Sequence, residues 1–77
     1  MDLDQLVGQK IKAIRMRKNM SLQDVASRIG KSRYTVRNYE EGKAKMFWTV
    51  YIQICRVLDI DPIALANEVQ RDSVSQG

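Results

Sequence analysis

Residues 21–43 read SLQDVASRIGKSRYTVRNYEEGK and predict two short helices joined by a tight turn. Ser21 and Ser32 are good N-caps, because a serine hydroxyl accepts a hydrogen bond from an N–H of the first helical turn. Gly30 permits a sharp reversal of the chain, and Ala26 is small enough for the next helix to cross it closely. Each helix has only about two turns, so packing against other elements must hold it.

The segments on either side also favour helices, since their apolar residues recur with helical spacing rather than with period two. A first helix has one apolar face, formed by Leu3, Leu6, Val7, Ile11 and Ile14. A fourth helix, from about Phe47 to Leu58, is apolar on most sides, so we expect it in the core or between subunits. Asp61 as N-cap and Pro62 at the first position mark a fifth helix. Its core residues are Ile63, Leu65, Ala66 and Val69.

These five short helices predict an all-α fold with a single core, because 77 residues are too few for two cores. We place the domain at residues 1–69 and interpret the polar, Ser- and Gln-rich residues 70–77 as a tail or the start of a linker. No apolar run approaches the roughly 20 residues that span a bilayer. The acidic N-terminus does not resemble a signal peptide.

The composition argues against several classes of function. The chain has no His, which is the commonest general base and the commonest metal ligand. Its single Cys55 can form neither an internal disulfide nor a thiolate metal cage. We therefore expect no catalytic residue, no metal site and no cofactor. We expect a reduced, cytoplasmic protein that acts through its surface.

Positive charge is concentrated in the middle of the chain. The net charge is only +4, but residues 10–45 carry eleven Lys and Arg against three Asp and Glu, and both ends are acidic. This distribution is typical of a protein that binds a polyanion. Ordinary solvated helix faces would give the same pattern, so charge alone does not decide between the two.

Spaced residues across most of the chain match a known family: Ser21-Leu22-Gln23, Val25-Ala26, Gly30, Val36, Tyr39-Glu40, Gly42-Lys43, Ile54, Leu58 and Asp61-Pro62. With these residues, roughly residues 6–66 resemble the lambda-repressor-like (Cro/cI, or Xre) helix-turn-helix family. The resemblance implies a compact five-helix domain that binds operator DNA, usually as a two-fold dimer. Its helix-turn-helix would be formed by helices two and three, with the third helix in the major groove.

The resemblance also implies which residues contact DNA. The exposed positions of the third helix, which read base edges in the family, are Arg33, Tyr34, Arg37 and Asn38. Arginine pairs bidentately with guanine and asparagine with adenine, while the tyrosine ring can touch a thymine methyl. We expect phosphate contacts from Gln23, Ser32, Thr35, Lys43 and Lys45, which position the domain without recognising sequence.

Two pairs of residues are assigned to other roles. Arg15 and Glu40 match positions that form a partly buried ion pair in similar family members, so we expect them to be structural. Before helix four, Met46-Phe47 stand where the family usually has Pro-Ser. The sequence therefore does not specify the N-cap of that helix or the angle at which the chain enters it. For Phe47 and Trp48 two interpretations remain: ordinary core filling, or part of a dimer seam or a partner's docking patch.

The leading functional hypothesis is a sequence-specific double-stranded DNA-binding transcriptional regulator, a repressor that acts as a dimer on a two-fold operator. Such a protein would be prokaryotic or phage-type and associated with the nucleoid. The alternative is a protein-interaction module on the same fold, such as an antitoxin, or a domain attached to an effector domain. An enzyme is disfavoured because no base, nucleophile and orienting residue stand together.

Overall fold

Five α-helices account for most of residues 2–76, which the computed structural model describes, and no strand occurs in that range. They are α1 (Leu3–Arg17), α2 (Leu22–Ile29), α3 (Arg33–Glu40), α4 (Trp48–Val57) and α5 (Pro62–Gln76). The helix α1 packs against α3 and α5, α2 packs against α3 and α4, and α4 packs against α5. The predicted all-α, five-helix fold is confirmed.

Local side-chain caps begin most of the helices where the sequence predicts. The Ser21 hydroxyl accepts a hydrogen bond from the Asp24 N–H at 3.0 Å, and the Asp24 carboxylate accepts one from the Ser21 N–H at 2.8 Å. The hydrogen bond from the Ser21 N–H to this carboxylate lowers the pKa of Asp24. The Ser32 hydroxyl caps α3 through the Thr35 N–H, and the Asp61 carboxylate accepts from the N–H of Ile63. Each cap satisfies a backbone donor that a helix leaves without an internal partner.

The core lies where the helices meet, and α4 runs through it. Its buried residues are Val50, Tyr51, Ile54 and Cys55, and they meet Val25, Ala26 and Val36 of the two short helices. The first turn of α4 is different, because Phe47 is 76% exposed and Trp48 is 59% exposed. Core filling is therefore the wrong interpretation of these two aromatic residues.

Two other apolar residues that were expected to face the core are also largely exposed. Leu3 is 49% exposed and Ile63 is 59% exposed. Both stand, like Trp48, in the first turn of their helix. Helical periodicity correctly identifies the face of a helix but carries no information on how far the core extends along it.

A close approach between α1 and the end of α3 depends on Gly8. A Cβ atom at this position would collide with the backbone carbonyl oxygens of Tyr39 and Glu40. Both obstacles are backbone atoms at the C-terminal end of α3, so a rotamer change cannot relieve the collision. Gly8 therefore sets the distance between the two helices.

A buried ion pair joins the same two helices. Arg15 Nε donates to Glu40 Oε2 at 2.7 Å and Arg15 Nη2 donates to Glu40 Oε1 at 3.1 Å. Arg15 Nη1 also donates to the backbone oxygen of Met20 at 2.8 Å, in the segment that leads into α2. Since both side chains are at most 10% exposed, this arginine fixes α3 and the start of α2 to α1 and is not displayed to a ligand.

The helix α5 continues through Gln76, although residues 70–77 were interpreted as a tail or linker; Gly77 lies outside the described residues. Lys10 of α1 contacts this part of α5, because its ammonium lies 2.8 Å from Glu68 Oε1 and 2.6 Å from Asp72 Oδ2. Its hydrogen bonds to Asp72 and Glu68 raise the pKa of Lys10, and the one to Asp72 lowers the pKa of that carboxyl. The boundary at residue 69 remains a prediction. None of the described helices is long and apolar enough to cross a membrane.

We expect Gly8→Ala to destabilise the fold by about 1–3 kcal/mol, as overpacking does, although alanine is the better helix former by about 1 kcal/mol. Urea unfolding measures the change. Gln9→Ala, at the exposed neighbouring position, is the control and should stay within about 0.5 kcal/mol. A stabilised Gly8→Ala variant would show that the two helices can separate without cost.

Removing one partner of the buried ion pair should cost more than removing both. Arg15→Met leaves the Glu40 carboxylate buried without its cation, so the free energy of unfolding should fall by about 3–5 kcal/mol. The Arg15→Met, Glu40→Met double variant should recover a large part of that loss in urea unfolding. Glu41→Gln, which removes the exposed pair with Lys43, should change stability by less than about 0.5 kcal/mol. If the double variant loses as much free energy of unfolding as the two single variants together, this account is contradicted.

The end of α5 should fray at acid pH. Because the folded-state pKa of Asp72 is lowered, its contribution is present at neutral pH and is lost as the pH falls through that pKa. On the basic side, the contribution of Lys10 is lost only above its raised pKa. Amide exchange over residues 70–76 across an acid titration measures the fraying, and Asp72→Asn should remove most of the pH dependence. If the wild type and Asp72→Asn fray over the same pH range, the pair of Lys10 and Asp72 is not the origin of the pH dependence.

Candidate nucleic-acid interface

The turn between α2 and α3 is built as the sequence predicts. Gly30 adopts the left-handed conformation with φ 70°, which costs glycine little because it has no Cβ. The Lys31 N–H then donates to the Ala26 oxygen at 2.9 Å and closes the end of α2. Ala26 itself is fully buried, and α2 packs against both α3 and α4. The turn fixes the direction in which α3 leaves the domain.

The helix α3 has one face in the core and one in solvent. Its buried residues are Val36, Tyr39 and Glu40. On the other side Arg33 and Arg37 are exposed, and Tyr34 is exposed at 69%. Asn38 is half-buried at the edge of this face. The structure therefore brings the predicted base-reading residues together on one exposed surface, with Asn38 the least accessible of the four.

The start of α3 presents hydroxyl groups beside this surface. The Ser32 and Thr35 hydroxyl oxygens are 2.9 Å apart, and Ser32 Oγ also accepts the Thr35 N–H. Only one hydroxyl hydrogen is used between the two oxygens, so the other remains available to donate to an anionic oxygen. Gln23 is exposed in the first turn of α2. The starts of α2 and α3 can therefore each hold a phosphate, because the helix dipole favours negative charge at a helix N-terminus.

The loop between α3 and α4 points its residues alternately outward and inward. Lys43 and Lys45 are exposed, whereas Ala44 and Met46 are half-buried against the core. The loop is anchored at its start, because the Lys43 N–H donates to the Asn38 oxygen at 2.9 Å. The two lysines therefore stand beside α3 on a loop whose other residues are packed.

Neighbouring charges change the set of cations available to a polyanion. Lys43 Nζ lies 3.2 Å from Glu41 Oε2, so a carboxylate two residues away partly offsets the charge of this exposed lysine. Lys10 is held by Glu68 and Asp72 on the side of α1 that faces α5. The sequence signals only the first of these pairs, since Glu68 and Asp72 are distant in the chain. Exposed cations that the sequence did not assign a role include Arg28 and Lys31, near the end of α2.

The remaining reactive groups are buried. The Tyr51 hydroxyl donates to the Pro62 oxygen at 2.6 Å, and burial raises the pKa of Tyr51. Burial likewise raises the pKa of the Cys55 thiol, which is fully covered. Among the residues that the structure describes, no three His, Cys, Asp or Glu side chains cluster as a metal site. Neither the Tyr51 hydroxyl nor the Cys55 thiol is therefore presented at the surface.

Solved structures share this arrangement of helices. The clp gene regulator ClgR from Corynebacterium glutamicum is similar with a TM-score of 0.85 at 17% identity, over 94% of this chain and 94% of that chain. A second structure of ClgR gives a TM-score of 0.90 over 99% of this chain and 81% of that one, also at 17% identity. At this identity the likeness shows the fold alone.

A third similar structure is the restriction-modification controller protein C.AhdI from Aeromonas hydrophila. It has a TM-score of 0.75 and 26% identity, and the match covers 79% of this chain and 92% of that one. No curated protein matches the sequence. The model of the helix-turn-helix domain family matches residues 6–67, which is most of the chain. With the turn at Gly30 and the exposed face of α3, this match shows that the chain belongs to the helix-turn-helix domain family.

Proposed function

We propose that this chain is a sequence-specific double-stranded DNA-binding transcriptional regulator whose helix α3 lies in the major groove. The observation that carries the proposal is the exposed face of α3, where Arg33, Tyr34 and Arg37 project from a helix whose other face is buried. The helix α2 braces it across the DNA backbone, as in other helix-turn-helix domains. Membership in a helix-turn-helix family supports the same proposal.

The base-reading roles follow from donor and acceptor patterns. Arg33 donates two hydrogen bonds to guanine O6 and N7, and Asn38 pairs with adenine N6 and N7. Tyr34 contacts a thymine methyl with its ring, and Arg37 reaches the next base or a phosphate. Since Asn38 is half-buried, its rotamer is restricted by its neighbours more than those of the two arginines.

The phosphate contacts surround the base-reading face. Lys43 and Lys45 approach the backbone from the loop after α3, while Gln23, Ser32 and Thr35 hold phosphates at the starts of α2 and α3. Lys45 contributes more than Lys43, because Glu41 partly offsets the charge of Lys43. Arg15 makes no contribution to DNA, since its guanidinium is occupied by Glu40 and Met20.

The regulator acts as a repressor, and its mechanism is occlusion. A homodimer places two α3 helices in half-sites about 34 Å apart on one face of the DNA and excludes polymerase from the operator. The similar proteins ClgR and C.AhdI are described as a gene regulator and a controller protein, which supports a regulatory role. The site of action is then the cytoplasm, where nucleoid or phage DNA is found.

A protein-interaction module on the same fold, such as an antitoxin, is the second candidate. The exposed aromatic side chains of Phe47 and Trp48 favour it, because large exposed apolar groups mark interaction sites. The two candidates differ in their dependence on salt. Binding to DNA releases counterions from phosphates, whereas docking on an apolar surface does not.

We expect the logarithm of the DNA association constant to fall against log salt with a slope of about −3.6 per domain, if each domain contacts about four phosphates. Lys45→Ala should weaken all sequences alike and reduce the slope by about 1, while Arg33→Ala should cost about 1–3 kcal/mol and relax one base position. Arg56→Ala is the matched control, because Arg56 is exposed at the opposite end of α4 from the loop. Anisotropy titrations on duplexes selected from a random pool measure all three; a flat slope would favour the protein-binding candidate.

A further inference from the structure

An apolar groove opens on the side of the domain where α1, α4 and α5 meet. Its volume is about 340 Å³, and its walls include Leu3 and Val7 of α1, Trp48 of α4, and Ala66 and Val69 of α5. An apolar cavity of about 150 Å³ is enough to hold a benzene ring. The groove is therefore large enough to receive an aromatic side chain.

An exposed aromatic side chain that does not pack in the core lies next to this groove. Phe47 is 76% exposed and does not line the groove, although both of its neighbours in the sequence do. It is the N-cap residue of α4 but forms no side-chain hydrogen bond there. One face of the molecule thus carries both an apolar projection and an apolar recess.

We propose that the groove receives Phe47 of a second copy of this chain, and that its occupation adds contacts to the packed loop that carries Lys43 and Lys45. A two-fold dimer uses the same patch twice, so a projection beside a recess is complementary to itself. The consequence for DNA rests on the function proposed above, whereas the association itself does not.

The charges at the edge of the groove also favour a second copy. Asp4 lines the groove at the acidic start of α1, and the neighbouring loop carries the exposed Lys45. A partner with charge of a single sign would complement only half of this face. A copy related by a two-fold axis between the two charges instead brings Lys45 of each chain beside Asp4 of the other.

The exposed aromatic area supplies about half of a symmetric interface. Phe47 and Trp48 together expose about 300 Å², given the usual size of aromatic side chains. Both copies contribute this area, which amounts to about half of the roughly 1,200 Å² at which stable interfaces begin. Leu3 and the other groove walls lie next to these residues and extend the patch.

The link to the DNA-binding surface follows from the alternation within the loop. Ala44 and Met46 line the groove, and Lys43 and Lys45 are the exposed residues between and beside them. A side chain seated in the groove contacts Ala44 and Met46 and so restricts the backbone that carries both lysines. By linkage, DNA that holds the lysines must strengthen the association in return.

Sedimentation and tryptophan emission of the free protein test the association. Trp48 is the only tryptophan of the chain and lines the groove, so its emission reports directly on this site. From micromolar to millimolar protein we expect a monomer–dimer transition, an emission shift to shorter wavelength, and slower amide exchange at residues 44–46. Phe47→Ala should weaken the association at least tenfold and abolish the emission shift over the same range.

Two further variants keep the result interpretable. Ala66→Leu fills the groove and leaves Phe47 in place, and it should weaken the association as Phe47→Ala does. Met16→Ala removes another exposed apolar side chain, one of α1 that does not line the groove, and it should have no effect. The proposal is overturned if the wild type stays monomeric, if Phe47→Ala associates normally, or if Trp48 emission shifts only when a foreign protein is added.

Binding to a single half-site separates this proposal from the proposed function. Phe47→Ala should still bind a half-site duplex with the salt slope of the wild-type monomer, but should lose cooperativity on a duplex with two half-sites. Normal half-site binding without self-association overturns the groove proposal alone. Self-association without half-site binding overturns the DNA-binding function and leaves the groove proposal standing.

Discussion

The buried ion pair between Arg15 and Glu40 is the interaction on which the arrangement of the helices depends. It joins α1 to α3, and through the Met20 oxygen it also holds the segment that enters α2. Two helices of eight residues each are too short to be stable in isolation. Their orientation is therefore set by α1, and Gly8 lets α1 come close enough for the pair to form.

This constraint assigns the charges of the domain to different tasks. Arg15 and Lys10 are on the same helix, but one is buried against Glu40 and the other is paired with α5. Neither is presented with α3. The basic middle of the chain is consequently divided between cations held within the domain and exposed cations, among them those of α3 and of the loop that follows it. A domain of this size uses part of its positive charge to hold its helices together and exposes the rest.

In α3 and in the loop that follows it, one side packs in the core and the opposite side is exposed. The helix α3 buries Val36 while it exposes Arg33 and Arg37. The loop after it packs Met46 and exposes Lys45. Because the buried residues fix the backbone, the exposed residues on the same few turns are held at defined positions. This reduces the backbone entropy that binding would otherwise lose.

The sequence by itself determined the helix starts at Ser21, Ser32 and Asp61 and the turn at Gly30, because caps and turns depend on residues within a few positions of each other. Only the tertiary structure decided that Lys10 holds α5 beyond residue 69, that Gly8 admits the backbone of α3, and that Phe47 and Trp48 stand in solvent. These features join residues far apart in the chain or depend on where the core ends. Periodicity specifies the face of a helix, whereas the neighbours along its length are specified by packing alone.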